Sequence, residues 1–272
     1  FNPMRFKNPR YLKEFILSGL DGKLSKAQEG RLFEAVKTVM ETNPEVSFAT
    51  LLERVDQEGL GIRDSFAEIM EFFSGEEEIP GQLLYCDFGL YPDAMKAPLI
   101  IYLIETFKHL EGRKIFIFDE CWHLLQKNAS YIAECFRTFR KHNASAVAIS
   151  QNLDDFSQTQ LGRVIIQTSY NKFLFRQALQ SSEFIEEHSR ESLQSLQSVK
   201  GAYSEFLYIN ELQKKPLRYY PSALEYELFT SDPNDALCWQ DYMKEKGRYM
   251  AYREAMLNFT SIRHPEFQRG AV

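Results

Sequence analysis

Four short apolar runs constrain the fold of this chain more than any other feature. They are Leu83-Leu-Tyr-Cys-Asp87, Lys114-Ile-Phe-Ile-Phe-Asp119, Ala144-Ser-Ala-Val-Ala-Ile-Ser150 and Lys172-Phe-Leu-Phe175. Helical stretches predicted over 98–110 and 130–142 separate the first three. Pro98 opens the first of these helices and Gly112 closes it. Strands alternating with helices of about 10 to 15 residues build βαβ units and a parallel sheet. The runs carry no polar alternation, which is the pattern of strands covered on both faces. The expected class is α/β, with all four runs as neighbours in one largely parallel sheet.

Two other regions read differently. Residues 9–80 give helices and no strand. Ser25 and Gln28 have capping-box spacing, and Leu32, Phe33, Val36, Val39 and Met40 then fall on one helical face. Asn43-Pro44 ends that helix. Phe48, Leu51, Leu52 and Val55 mark a second helix, and Phe66, Ile69, Met70 and Phe73 a third. Near the other end, Tyr203–Ile209 and Lys215–Tyr220 flank a hairpin turn at Asn210-Glu211, and a polar helical tail follows.

Composition narrows the function. The 272 residues carry a formal charge of -6, and 44% are hydrophobic. That content supports a buried core. The acidic balance argues against a dedicated nucleic-acid binder, which needs clustered Lys and Arg. The four cysteines form no C-x-x-C pair, so they read as free thiols of a reducing compartment, the cytosol. No apolar run approaches the roughly 20 residues that span a bilayer. The chain begins at Phe1 inside what reads as structured sequence, and is expected to be a piece of a longer protein.

The chemistry concentrates after the second run. Ile115-Phe-Ile-Phe-Asp119-Glu120 places two carboxylates at the carboxyl end of a strand, the edge where open α/β sheets bind ligands. In P-loop ATPases an Asp here holds the Mg²⁺ shell, and a following Glu can deprotonate the attacking water. By itself the pair is equally compatible with a strand ending in solvated acids. One βα unit later, Gln151 follows the third run, placed either to bond a γ-phosphate or lytic water or simply to line a polar loop. Arg137, Arg140 and Lys141 sit near a helix end. They either complement its dipole or present an arginine finger to a neighbouring subunit. Asp87 supports the metal shell or only its own loop, and His123 has no partner at ligand spacing. Gly19-Leu-Asp-Gly22-Lys23-Leu-Ser25 is not a phosphate loop. G-x-x-x-x-G-K-[ST] needs two more residues and a preceding strand.

Together these residues resemble the carboxy-terminal ATPase domain of the TraC-like, VirB-series ATPases of bacterial conjugation and type IV secretion, in the HerA/FtsK branch of RecA-like P-loop motors. Phe1-Asn2-Pro3-Met4 is similar to the family's N-P segment, and 9–80 to its all-α insertion. Ile117-Phe-Asp119-Glu120-Cys121-Trp122-His123-Leu124-Leu125 is similar to its extended Walker B. Phe136-Arg137-Thr-Phe-Arg140-Lys141, followed by Ile149-Ser-Gln151-Asn, is similar to its R-K segment and its motif with glutamine. Leu224-Glu-Tyr226 and Thr230-Ser-Asp232-Pro233 resemble its tail.

The resemblance implies a RecA-like core over 1–8 and 81–220, an all-α insertion over 9–80 and a helical tail over 221–272. It implies ATP hydrolysis with Mg²⁺, with Asp119 on the metal, Asp119 and Gln151 on the nucleotide, and Glu120, Gln151, Arg137 and Arg140 catalytic. It further implies a homo-oligomer, commonly a hexamer, at the cytoplasmic face of the inner membrane beside other secretion components, energising pilus assembly or substrate transfer. A DNA-translocating motor and a non-hydrolysing scaffold of the same shape are the alternatives, and net charge does not support DNA binding. The phosphate loop is expected upstream of Phe1 or absent, so this chain alone is expected to bind ATP poorly and to be inactive.

Overall fold

The computed structural model describes residues 1–20, 22, 24–56, 59, 61–73, 75, 83–120, 128–157, 159–176 and 187–266. The chain forms two compact units, Phe1–Thr168 and Ser169–Val272. The expected core 81–220 therefore contributes to both units, and the helical stretch 9–80 belongs to the first.

The first unit opens on helices, as its periodicity predicts. α1 (Pro9–Gly19) starts where Asn8 accepts from the amides of Arg10 and Tyr11, with Pro9 in the first turn, where a missing N–H costs nothing. α2 (Lys26–Thr42) carries the expected reciprocal box between Ser25 and Gln28 and stops at Asn43. α3 (Phe48–Asp56), α4 (Ile62–Phe66) and a 3₁₀ segment (Ala67–Phe73) complete the group. Their common core is aromatic. Phe48 packs edge-on against Phe15, Phe66 and Phe73, with ring centres 5.5, 5.7 and 5.3 Å away.

α5 (Asp93–His109) packs on α1 and is buried around much of its circumference. It begins five residues before the expected start, so Pro98 lies inside it. A proline there removes one helical hydrogen bond, at about 3 kcal/mol. Burial of Met95, Leu99, Ile100, Ile101, Tyr102 and Ile104 outweighs that loss.

β1 (Lys114–Asp119) and β2 (Ala144–Ile149) run parallel, in register from Lys114 opposite Ala144 to Asp119 opposite Ile149. Between them α6 (Ala129–Thr138) and a 3₁₀ turn (Phe139–His142) return the chain. On the inner face Phe116 stacks on Phe139 at 4.7 Å, and Phe118 lies 5.4 Å from Phe136. The outer face holds Ile115 and Ile117, each 62% exposed, with Val147 and Ile149. Among the described residues the expected cover on both faces is thus present on one only. α7 (Asp154–Ser157) and α8 (Gln160–Thr168) end the unit.

Two expected strands are corrected. Residues 83–87 form no strand, and Leu83 and Tyr85 are exposed. An apolar run becomes a strand only by pairing, and 83–87 pairs with no described strand. Asp87 therefore ends no strand. Its carboxylate caps the 3₁₀ turn Phe88–Leu90 by accepting from the Gly89 amide at 2.8 Å. β3 (Lys172–Phe175) is a strand, but it lies in the second unit and pairs antiparallel with β5.

That second unit is built on an antiparallel sheet of β3, β4 (Ser198–Val199), β5 (Tyr203–Ile209) and β6 (Lys214–Tyr219). The β5–β6 hairpin matches the predicted one. Asn210 fixes its turn by accepting from the amides of Leu212 and Gln213. α9 (Glu187–Ser195) precedes the sheet, and α10 (Ala223–Phe229), α11 (Pro233–Glu245) and α12 (Tyr252–Arg263) follow it. Arg263 ties these last helices together through Glu227 at 3.0 Å and Asp235 at 2.7 Å. Lys200 reaches Asp232 and Asp235 from the sheet, at 2.8 and 3.2 Å.

Candidate active site

The parallel register decides what can meet. Asp119 is the last residue of β1 and stands opposite Ile149, the last of β2. Glu120 follows at φ 49°, one of three non-glycine residues with positive φ among the described residues. That conformation costs roughly 1–2 kcal/mol for an L-residue. It is held by the Glu120 amide donating to the Ile149 carbonyl at 3.2 Å. The chain thus turns sharply at the strand end with both carboxylates exposed. Neither has an ion-pair or side-chain hydrogen-bond partner among the described residues.

Gln151 leaves β2 two residues after Ile149 and is exposed at the same sheet edge. Its loop is anchored by Ser150. The Ser150 hydroxyl donates to the Asp155 carboxylate and accepts from the Asn152 amide at 3.2 Å. Asp155 is a positioning residue that the sequence reading missed. A serine and an aspartate five apart in a polar loop give no distinguishing signal. Asp119, Glu120 and Gln151 thus lie at one edge of the parallel pair.

The cations lie elsewhere. Arg140 borders a shallow cavity of about 310 Å³ with Arg113, Asn143, Ala144 and Ser145, where β1 and β2 begin. Five strand steps, roughly 16 Å, separate that edge from the carboxylates. Arg137 sits in the last turn of α6 and is exposed. Within one chain Arg140 therefore does not reach Asp119 or Glu120. Cys121 to Leu125, the rest of the expected Walker B segment, and His123 with it, lie outside the described residues.

Two carboxylates without other partners among the described residues suit a hard divalent cation that keeps several waters and takes its remaining ligands from substrate phosphates. Among the described residues no cluster of three or more His, Cys, Asp or Glu side chains forms a closed metal cage. The sequence contains no G-x-x-x-x-G-K-[ST]. The residues present thus fit the metal side of a nucleotide site and supply no phosphate cradle of that kind.

The model of the TraG P-loop domain family matches residues 97–257, more than half of the chain and parts of both units. The chain belongs to the TraG P-loop domain family. The fold of this TraG-type domain is similar to VirB4 of Thermoanaerobacter pseudethanolicus, with a TM-score of 0.56 and 16% identity. The likeness covers 79% of this chain and 69% of that one. No curated protein matches the chain by sequence. The TraG-type domain therefore has the α/β, RecA-like P-loop architecture, and the resemblance to conjugation and type IV secretion ATPases holds at the level of family.

Proposed function

We propose that this domain is the hydrolytic part of an ATP-driven motor of conjugation or type IV secretion. One observation carries the reading. The parallel pair ends with Asp119, Glu120 and Gln151 at a single edge, and a backbone bond holds Glu120 in a strained conformation there. Strain held by the surrounding fold is common where function needs a side chain aimed in one direction.

Mg²⁺-ATP would supply the electrophilic γ-phosphoryl group and most of its charge neutralisation. Asp119 would hold the metal or one of its waters. Glu120 takes a proton from the attacking water, and Gln151 orients that water or a phosphate oxygen. Arg137, exposed in the last turn of α6, serves a neighbouring subunit's site in a homo-oligomer, hexameric by analogy with the motors it resembles. No described helix is long and apolar enough to cross a membrane. We place the motor at the cytoplasmic face of the inner membrane, held there by other secretion components, where it energises pilus assembly or substrate transfer.

The test separates binding from turnover in the intact protein. Glu120→Gln is expected to leave nucleotide affinity near normal and to lower turnover by about 10²-fold or more, the scale of a lost general base. Asp119→Asn is expected to weaken Mg²⁺-dependent binding as well. Unchanged turnover in Glu120→Gln removes the reading.

A further inference from the structure

The sheet edge opposite the carboxylates carries its own chemistry. Arg113 immediately precedes β1, and Arg140 lies in the turn that leads into β2. Both arginines border the cavity that Asn143 and Ser145 also line. All four of these side chains are exposed, and none has a hydrogen-bond or ion-pair partner among the described residues. Asn143 is held at φ 52° while its amide closes the preceding turn onto the Phe139 and Arg140 carbonyls. Its own carbonyl accepts from the Lys114 amide at 3.1 Å. The backbone that sets the two arginines is therefore fixed, although the arginines themselves have no partner among the described residues.

The surroundings are positive. Partial burial first, and then Lys108, His109 and Lys114 against an opposing Glu105, hold the imidazole of His142, in the same turn as Arg140, below its ordinary pKa. Glu105, the nearby carboxylate, is already bonded to Lys108, His109 and Tyr131. A chain of net charge -6 thus keeps a cluster of cations at one place. Guanidinium forks match the planar spacing of oxyanion oxygens, and an amide and a hydroxyl add donors of the right kind.

We propose that this edge is an oxyanion site, in which Arg113 and Arg140 clamp a phosphate group between them with Asn143 and Ser145 as additional donors. It is distinct from the edge that carries Asp119, Glu120 and Gln151, and needs no phosphate loop. The shared chemistry is the phosphoryl oxyanion, carried either by free inorganic phosphates or by a nucleotide.

The site is tested by calorimetric titration of the 272-residue chain with inorganic pyrophosphate, without added metal. Saturable binding is expected. Arg113→Gln and Arg140→Gln should each weaken it roughly tenfold or more, the scale of one charge-assisted hydrogen bond. Arg140→Lys, which keeps the charge and loses the fork, should also weaken it. Lys141→Gln serves as the charge control and should change affinity less than either arginine variant. Circular dichroism confirms that each variant is folded. A parallel titration with ATP assigns the source: tighter ATP binding that keeps the Arg113 dependence points to a nucleotide, and equal or weaker binding to free phosphates. Absence of pyrophosphate binding overturns the proposal. So does binding that survives both glutamine substitutions, or that falls as much in Lys141→Gln as in Arg140→Gln.

Discussion

The Glu120 amide donates to the Ile149 carbonyl at 3.2 Å, one step beyond the last register pair of the parallel strands. This bond couples the two loops that carry the candidate chemistry. Glu120 cannot relax to an ordinary extended conformation without releasing the chain that leads to Gln151. The left-handed backbone at Glu120 is thus a property of the paired strands rather than of the glutamate.

Glycine at this position should separate strain from function. Glu120→Gly adopts φ 49° without a Cβ penalty and is expected to raise stability by about 1 kcal/mol, partly offset by a more flexible unfolded chain. Turnover should fall at least as far as in Glu120→Gln. Urea unfolding and an ATPase assay on the same preparation check both halves. A less stable glycine variant means that Glu120 makes a supporting contact.

A second expectation concerns the helical half. A Cβ on Gly19 would lie 2.4 Å from the tip of the Phe66 ring. That ring is fully buried among Phe15, Phe48 and Phe73. Gly19→Ala should therefore destabilise the first unit by about 1–3 kcal/mol through overpacking. Adding Phe66→Leu should recover part of the loss. Far-ultraviolet circular dichroism during urea unfolding measures the set.

The second unit should be sensitive to acid. Bonds from Tyr226 and Arg263, followed by Lys200, hold the Asp235 carboxyl well below its ordinary range of about 3.9. A lowered native pKa means that the unfolded chain takes up the proton first. The stabilisation is complete above about pH 5 and is lost progressively as the pH falls below about 4. Asp235→Asn should cost about 2 kcal/mol at neutral pH and flatten the acid limb. Trp239, packed 5.2 Å from Phe259, reports on the docking of α11 and α12 in a Trp122→Phe background.

Glu105 makes the corresponding point in the first unit. Burial pushes its carboxyl up, but bonds from Lys108, Tyr131 and His109 outweigh burial and hold it below the usual carboxylate range. Tyr131→Phe removes the hydroxyl that donates at 2.5 Å. It is expected to cost about 1–3 kcal/mol and to shift the acid-unfolding midpoint of this unit upward, because a less depressed carboxyl loses its stabilising charge at higher pH. Thermal melts of both proteins between about pH 3 and 7 test the shift across the carboxylate range.

Local signals were legible in the sequence where they rest on short-range physics. The Ser25–Gln28 box, the stop at Asn43 and the turn at Asn210 each involve neighbours within a few residues. The edge shared by Asp119, Glu120 and Gln151 was legible because strand direction fixes which ends of a parallel pair meet. Residues 83–87 misled because apolarity marks burial propensity and not a partner. Lys172–Phe175 was read correctly as a strand, but a four-residue run does not reveal whether its neighbour runs parallel or antiparallel. The separation of Arg140 from the acids was implicit in the connectivity. A crossover helix returns antiparallel to its strand, so its last turn ends at the opposite edge. Arg113 escaped notice because nothing in sequence places it beside Arg140.

The outward row of Ile115, Ile117, Val147 and Ile149 has a practical consequence for handling the protein. Among the described strands β1 and β2 pair only with each other, and their outer face is a greasy surface. Such a ribbon is a template for stacking between molecules. Monomer should be lost as the protein is concentrated, however well the helices around Phe15 and Phe66 hold their shape. A single lysine at Ile117, on the outer face and away from the aromatic layer, should extend the usable concentration range without loosening the fold.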